Sequence, residues 1–342
     1  MQTRTLGALR VSPIGMGCMG LSHGYGSIPP EDYSITAIRK AHDFGCTFFD
    51  TAEIYGPDLL PEHRGHNERI VGRALQGVRS SVVIATKLHL GTDEVQRDGV
   101  AACIRRHLEQ SMQRLQTGWV DLYYLHRVNP AVPLEEVAAA MGGLIAEGLI
   151  RGWGLSQVPV DCIRRAHEVA PLAAVQNIYS MLERSSEEDV IPYCLEHGIG
   201  FAPFSPIASG FLSGKVTAHT DFSHSDDVRK FVPQLRPENI AANQPILDLL
   251  EHYAQQKGAT KAQISLAWML HKYPNVVPIP GSKNQERILE NLGAWNVALS
   301  AEEFAALEQA LAALPVHGWR GHVEIEGGSM AAWNRDKPAP KS

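Results

Sequence analysis

Short apolar runs, separated by helix-like segments, recur eight times along this chain, and that alternation limits its possible folds more than any other feature. The runs fall at 14–18, 47–50, 81–87, 120–126, 150–156, 172–180, 199–205 and 276–281. They are continuous and not alternating, as expected of strands covered on both faces. Helix-like segments follow near 31–44, 67–77, 95–116, 133–148, 159–169 and 186–197, and again at "NQERILENL". Pro133 and Gly148 bracket the fourth of these, as helix boundaries prefer. Eight β-α units predict an α/β chain closed into a (β/α)8 TIM barrel. An open doubly wound sheet would want a G-x-G-x-x-G turn leading directly into a helix. "GMGCMGLSHGYG" is glycine-rich but does not have that form.

Two parts lie outside the repeat. "TRTLGALRVSP" reads as a hairpin with a Leu-Gly turn, placed to plug the bottom of the barrel. Residues 207–240 form a long loop, of the length that is usually functional or disordered. The 342 residues are read as one barrel domain, since α/β barrels routinely run this long. The barrel spans about 14–312, and a partly disordered tail spans about 313–342.

The net charge of −6 and the lack of a basic run exclude nucleic acid and anionic lipid as expected partners. No apolar run approaches the ~20 residues of a membrane span. The first residues lack the apolar core of a signal peptide. Five scattered cysteines, without a C-x-x-C pair, predict reduced thiols and a cytoplasmic location. No metal is expected, because no H-E-x-x-H occurs and His63 and His66 read as polar loop residues.

Barrel active sites lie at the carboxyl ends of the strands. Strand two ends in Asp50, with Tyr55 in its loop. The next three end in Lys87, His126 and Ser156, and the sixth in Gln176-Asn177. A free tyrosine has a pKa near ~10, and an ammonium beside it favours the phenolate. A carboxylate beside the lysine keeps that ammonium charged and in place. A histidine can hydrogen-bond a substrate oxygen. Together the four make a proton donor for a carbonyl oxygen that is gaining negative charge. Each alone has an ordinary reading: Asp50 as a turn cap, Lys87 as a surface lysine, His126 as a satisfied polar residue. Four complementary types on successive strands outweigh those readings. Glu53, conspicuous in "FFDTAEIYG", is read as a loop carboxylate with no role.

"FFDTAEIYG", then "VVIATK", then "DLYYLHRVNP", resembles the aldo-keto reductase superfamily. The likeness is strongest to the bacterial and plant branch with "GMGCMGLSHGYG" and "HRVNP"-type motifs. It runs from the opening hairpin to about residue 310. It implies NADPH-dependent reduction of a small aldehyde or ketone. Carried over by position, Tyr55 is the general acid, Lys87 lowers its pKa, Asp50 pairs with Lys87, and His126 orients the carbonyl. Ser156, Gln157 and Gln176 correspond to residues holding the nicotinamide carboxamide, and Phe204 to the ring that stacks on it. Ser205, Ile207, Ser209 and Lys215 pass the pyrophosphate. Gly281, Lys283 and Arg287 lie at the adenosine 2′-phosphate, the last two supplying its charge, and Glu290 and Asn291 lie at the adenine. Gln157 stands where many relatives have Asn, and Gly281 where some have Lys. Met19, His23, Tyr25, Arg127 and Trp319 are the expected substrate-pocket residues. The chain is expected as a monomer or homo-oligomer. Two other readings are a redox-sensing regulatory subunit with slow chemistry and a Schiff-base aldolase acting through Lys87.

Overall fold

The computed structural model describes residues 3–58, 60–223 and 227–320. The chain opens with strands β1 (Arg4–Leu6) and β2 (Leu9–Val11), an antiparallel hairpin. Its turn residues are Gly7 and Ala8, one position later than the expected Leu-Gly turn. Leu6, Leu9 and Val11 are buried in one cluster with Phe48, Leu122 and Val277 inside the barrel. Leu6 packs at Gly200 and Gly7 at Ala173, where two barrel strands begin. The hairpin therefore plugs the amino end, as expected. Each of its three apolar side chains contributes about 1.5–3 kcal/mol of burial.

The parallel strands follow in chain order. They are β3 (Met16–Gly17), β4 (Phe48–Asp50), β5 (Val83–Leu88), β6 (Val120–Leu125), β7 (Ile150–Ser156), β8 (Ala174–Gln176) and β9 (Gly200–Phe201). Neighbours pair from β3 to β9 without a crossover. The eighth run, 276–281, is not a ladder-forming strand, but it closes the ring. Val277 and Ile279 donate to the carbonyls of Phe201 and Pro203 at 2.8 and 3.1 Å. On the other side the carbonyls of Pro278 and Pro280 accept from Gly15 and Gly17 at 2.9 and 3.2 Å. The two prolines have no N–H to return to β3, so half of that ladder is missing.

Helices α1 (Glu31–Asp43), α2 (His66–Ala74), α3 (Thr92–Asp98), α4 (Val100–Leu115), α5 (Leu134–Ala146), α6 (Val160–Val169) and α7 (Val190–Glu196) follow successive strands. The expected single helix at 95–116 is two, because Gly99 sits at φ 81°, where an L side chain is strained. The described residues of 207–240 are irregular, with short 3₁₀ turns, and lead into α8 (Pro237–Ala242). Then come α9 (Gln244–Lys257), α10 (Lys261–Lys272), α11 (Gln285–Gly293) and α12 (Ala301–Ala312).

Side chains alternate across each strand. Phe49, Ile84, Tyr123 and Phe201 face the helices, while Phe48, Ala85 and Tyr124 face the lumen. Gly154 makes room for this lumen layer. A Cβ there would lie 2.5 Å from the Tyr124 ring and 2.4 Å from the Ala174 carbonyl. The same parity brings Asp50, Lys87, Ser156 and Gln176 to the carboxyl rim.

Of the tail expected to be partly disordered, about 313–342, the structure describes residues up to 320. His317 and Asn243 exchange two hydrogen bonds at 2.8 and 2.9 Å, and Gln234 N–H donates to the Trp319 carbonyl at 3.1 Å. These bonds tie 317–319 to Gln234 of the long loop and to Asn243 beyond it. The remainder of the expected disordered tail, 321–342, lies outside the described residues. Among the described residues no helix is long and apolar enough to cross a membrane, and no cluster of side chains could hold a metal. All five cysteines are buried and free.

Candidate active site at the carboxyl end of the barrel

The loop after β4 delivers Tyr55 to the rim by extending the parallel register. Thr51 N–H donates to Ala85 O at 2.9 Å, and Glu53 N–H to Lys87 O at 3.2 Å. Asn67 on α2 braces the same loop: its Oδ1 accepts from the Thr51 hydroxyl at 2.6 Å. The Lys87 ammonium, with no exposed surface, donates to Asp50 Oδ1, to Thr51 O at 2.7 Å and to the Tyr55 hydroxyl at 3.4 Å. Gln176 Nε2 donates to the other Asp50 oxygen at 2.8 Å. His126 meets Tyr55 edge-on, with ring centroids 5.9 Å apart, and His23 stacks on the far side at 6.4 Å. Asp50, Tyr55, Lys87 and His126 thus come together.

Burial is the largest influence on every member. For Lys87 it pushes the ammonium down, but Asp50 and Tyr55 together outweigh it, so the net direction is up. A proton held that firmly keeps the pair ionic, although burial also lifts the Asp50 carboxyl. For Tyr55 burial raises the phenol, and the pulls of Lys87 and Arg127 do not overcome it. This reverses the expected net direction: Lys87 pulls downward, but desolvation of a phenolate at this depth costs more. The phenol therefore stays protonated at neutral pH. His126 is held well below the ordinary imidazole range, first by burial and then by Arg127, Lys87, His89 and His23. It is neutral at neutral pH.

Glu53, in the loop after β4, is not without a role. It is fully buried, accepts from His89 N–H at 2.9 Å and meets His107 Nδ1 on α4 at 2.7 Å. His107 Nε2 in turn meets Glu94 at 3.0 Å. Burial pushes His107 down, but its two carboxylate partners prevail and raise it. A raised histidine stabilises fully below its unfolded pKa of ~6.5, and that contribution is lost as pH rises through the folded value. Glu53→Gln is therefore expected to destabilise by about 1.5–3 kcal/mol near pH 6. The gap should narrow at alkaline pH. Thermal melting of both proteins at pH 6 and pH 9 checks this, and an equal gap at the two values removes the ionic account.

A cavity of about 370 Å³ opens from this cluster. Its walls include each of the expected cofactor residues except Gln157: Ser156, Gln176, Phe204, Ser205, Ile207, Ser209, Lys215, Gly281, Lys283, Arg287, Glu290 and Asn291. Of the expected substrate residues, Met19, His23, Tyr25 and Arg127 line it. Gln157 turns away, and its Oε1 accepts from Ile178 N–H at 3.0 Å. Its φ of 55° swings the side chain onto the backbone after β8. Trp319 also lies outside, 42% exposed, and its neighbour Arg320 lines the wall instead. Ile54, Val228, Arg229 and Arg320 are wall residues that sequence reasoning missed. They come from loops with no regular spacing to reveal them.

Two loops meet over the cavity. Tyr25 and Asp227 form an antiparallel bridge, and Val228 N–H donates to Gly24 O at 3.0 Å. Lys283 donates to the carbonyls of Tyr25 and Ser27 at 2.8 and 2.7 Å. Its ammonium thus fastens the first loop. Ser205, Ala208 and Ser209 have φ of 52°, 49° and 55°, followed by Gly210 at 98°. Such conformations cost roughly 1–3 kcal/mol each in non-glycine residues and cluster at ligand clamps. Arg127, Lys215, Arg229, Lys283, Arg287 and Arg320 line the cavity against Asp50 and Glu290. On a chain of net charge −6 this is a cationic site.

The chain matches the model of the aldo/keto reductase family over residues 13–312. It is 36% identical over 335 residues to a probable aldo-keto reductase from Glycine max, covering 97% of this chain and 93% of that protein. It resembles the solved structure of a glycerol dehydrogenase from Gluconobacter oxydans with a TM-score of 0.79 at 28% identity, over 94% of this chain and 98% of that one. An aldo/keto reductase from Klebsiella pneumoniae, solved in complex with NADP and acetate, gives a TM-score of 0.70 at 28% identity, with the same coverage of 94% and 98%.

Proposed function

Because the chain belongs to the aldo/keto reductase family, we propose that it reduces an aldehyde or ketone to the alcohol with NADPH, as a single barrel domain with Tyr55 as proton donor. The observation that carries this reading is the Asp50–Lys87–Tyr55 chain of contacts opening, beside His126, into a cationic cavity. NADPH supplies hydride to the carbonyl carbon. The residues present fit it. Phe204 offers a flat apolar wall, the strained Ser205–Gly210 backbone offers amides to the pyrophosphate, and Arg287 on α11 offers a fork to the 2′-phosphate. Asn284 caps that helix by accepting from Arg287 N–H, and the helix start adds anion affinity.

The substrate oxygen accepts hydrogen bonds from the Tyr55 hydroxyl and from neutral His126. As it gains charge it takes the Tyr55 proton. The phenolate left behind lies 3.4 Å from the Lys87 ammonium, which stabilises it. Asp50, Thr51 O and Gln176 keep that ammonium from moving away. A Schiff-base role for Lys87 needs a neutral, accessible amine. A buried lysine held protonated is the opposite.

Oxidation of NADPH and of NADH, followed by absorbance across a panel of aldehydes and ketones, tests the reading. NADPH is expected to be preferred, and Arg287→Ala should raise the NADPH dissociation constant about tenfold or more while leaving that of NADH within about twofold. Absence of turnover on every carbonyl, with NADP(H) tightly retained, would favour the regulatory-subunit reading instead.

A further inference from the structure

Several half-buried arginines of this protein have carboxylate partners, whereas Arg4 is met by the carbonyls of Leu270, Tyr273 and Val276. Arg79 pairs with Asp121 at 2.7 Å, Arg114 with Glu68 at 2.5 Å, and Arg184 with Glu187 at 2.8 Å. Arg127 and Arg320 are less fully partnered than either kind. Arg320 is 8% exposed and Arg127 is partly buried, and neither forms an ion pair with a described residue. Arg127 donates to Ser156 Oγ at 3.0 Å and to the His126 carbonyl at 2.5 Å. Arg320 donates to Ser205 Oγ at 3.2 Å. The Nε of each is buried without a hydrogen-bond partner. Both side chains line the same cavity.

A guanidinium carries five N–H donors, and hydroxyls or carbonyls do not neutralise it. Two such groups in one wall leave a buried surplus of positive charge, which is costly until an anion meets it. Burial pushes Arg127 down to about 10. The anions of the cofactor have other partners by position: Lys215 and the strained backbone after Ser205 at one end, Arg287 at the other. Arg127 directly follows His126 and interacts with Tyr55, while Arg320 interacts with Tyr25 and Glu183. Arg127 thus lies at the carbonyl end, and Arg320 lines the same cavity beside Ser205. The His317–Asn243 bonds and the Gln234 N–H to Trp319 O bond hold the segment that carries Arg320.

Resting on the reductase reading above, we propose that the substrate of this site is an anionic carbonyl compound, whose carboxylate or phosphate ester is held by Arg127 and Arg320 while its carbonyl lies at Tyr55 and His126. The forked guanidinium suits either anion. The same pair makes neutral aldehydes poor substrates, because they leave both cations unpaired.

Matched aldehydes test this: benzaldehyde against 4-formylbenzoate, and glyceraldehyde against glyceraldehyde 3-phosphate. The charged member of at least one pair is expected to have a kcat/KM about tenfold or more above its neutral counterpart. The responding pair tells carboxylate from phosphate. In Arg320→Met and Arg127→Met that ratio should collapse about tenfold, chiefly through KM, and Arg320→Lys should restore part of it. The NADPH dissociation constant, from fluorescence quenching, should stay within about twofold. Neutral aldehydes serving as well as charged ones would overturn the proposal. So would variants that weaken NADPH and leave the ratio unchanged, since the arginines would then serve the cofactor.

Calorimetry on the NADP⁺-loaded enzyme separates the two readings. If 4-(hydroxymethyl)benzoate binds about tenfold tighter than benzyl alcohol in an Arg320-dependent way, while no carbonyl turns over, the anion site stands and the reductase reading falls. Equal binding of the two alcohols removes the anion site.

Discussion

Replacing Tyr55 with Phe is expected to lower kcat for carbonyl reduction by about 10²–10⁴-fold, the usual contribution of a positioned proton donor. The ring stays, so the stacking of His23 and the edge contact of His126 are preserved. What disappears is the hydroxyl that lies 3.4 Å from Lys87. The NADPH dissociation constant should therefore change little, and fluorescence titration measures it independently of turnover. A variant retaining more than about a tenth of the wild-type rate would assign the proton to another group. Neutral His126 would be the first to examine.

The second large effect concerns the ion pair beneath the phenol. Lys87→Met leaves Asp50 as a buried carboxylate whose remaining side-chain donor is Gln176. Breaking a buried pair from one side typically costs about 3–5 kcal/mol. A fall of several degrees in melting temperature is expected, together with loss of turnover comparable to that of Tyr55→Phe. Asp50→Asn should behave similarly, since it strands the ammonium. The double variant is the sharper measurement. With both charges gone, the stability loss should be smaller than the sum of the single losses, whereas activity stays lost. Additive stability losses would mean that the two groups do not depend on each other, and the account of Lys87 as a clamped cation would fail.

Asp50, Lys87 and Gln176 were legible because they lie at strand ends, and Tyr55 through the motif that follows Asp50. A period-two pattern tells which side chains face the lumen, and the barrel rule tells which end matters. Glu53 was misjudged for the same reason. It belongs to a loop, and its partner His107 is 54 positions away on α4, so nothing local announces their 2.7 Å contact. Arg320 was missed because two hydrogen bonds to Asn243 hold its segment in place, and no spacing encodes them. Gln157 and Trp319 were placed wrongly in the pocket. A left-handed backbone turns the first away, and the second points outward beside the residue that points in. The direction of the Tyr55 shift was also out of reach, since proximity of Lys87 is readable from strand order but the depth of burial is not.

By itself, the sequence determined the barrel, the plugging hairpin and the meeting of Asp50, Tyr55, Lys87 and His126. These follow from strand periodicity and chain order, which are local properties repeated eight times. Only the tertiary structure decided that Glu53 ties the Tyr55 loop to α4, that Lys283 fastens the first loop, and that Arg127 and Arg320 face one cavity without forming an ion pair to a described residue. Those outcomes depend on which distant loops close over the rim. They are set by packing and by the balance of desolvation against charge, and neither is written in the spacing of residues along the chain.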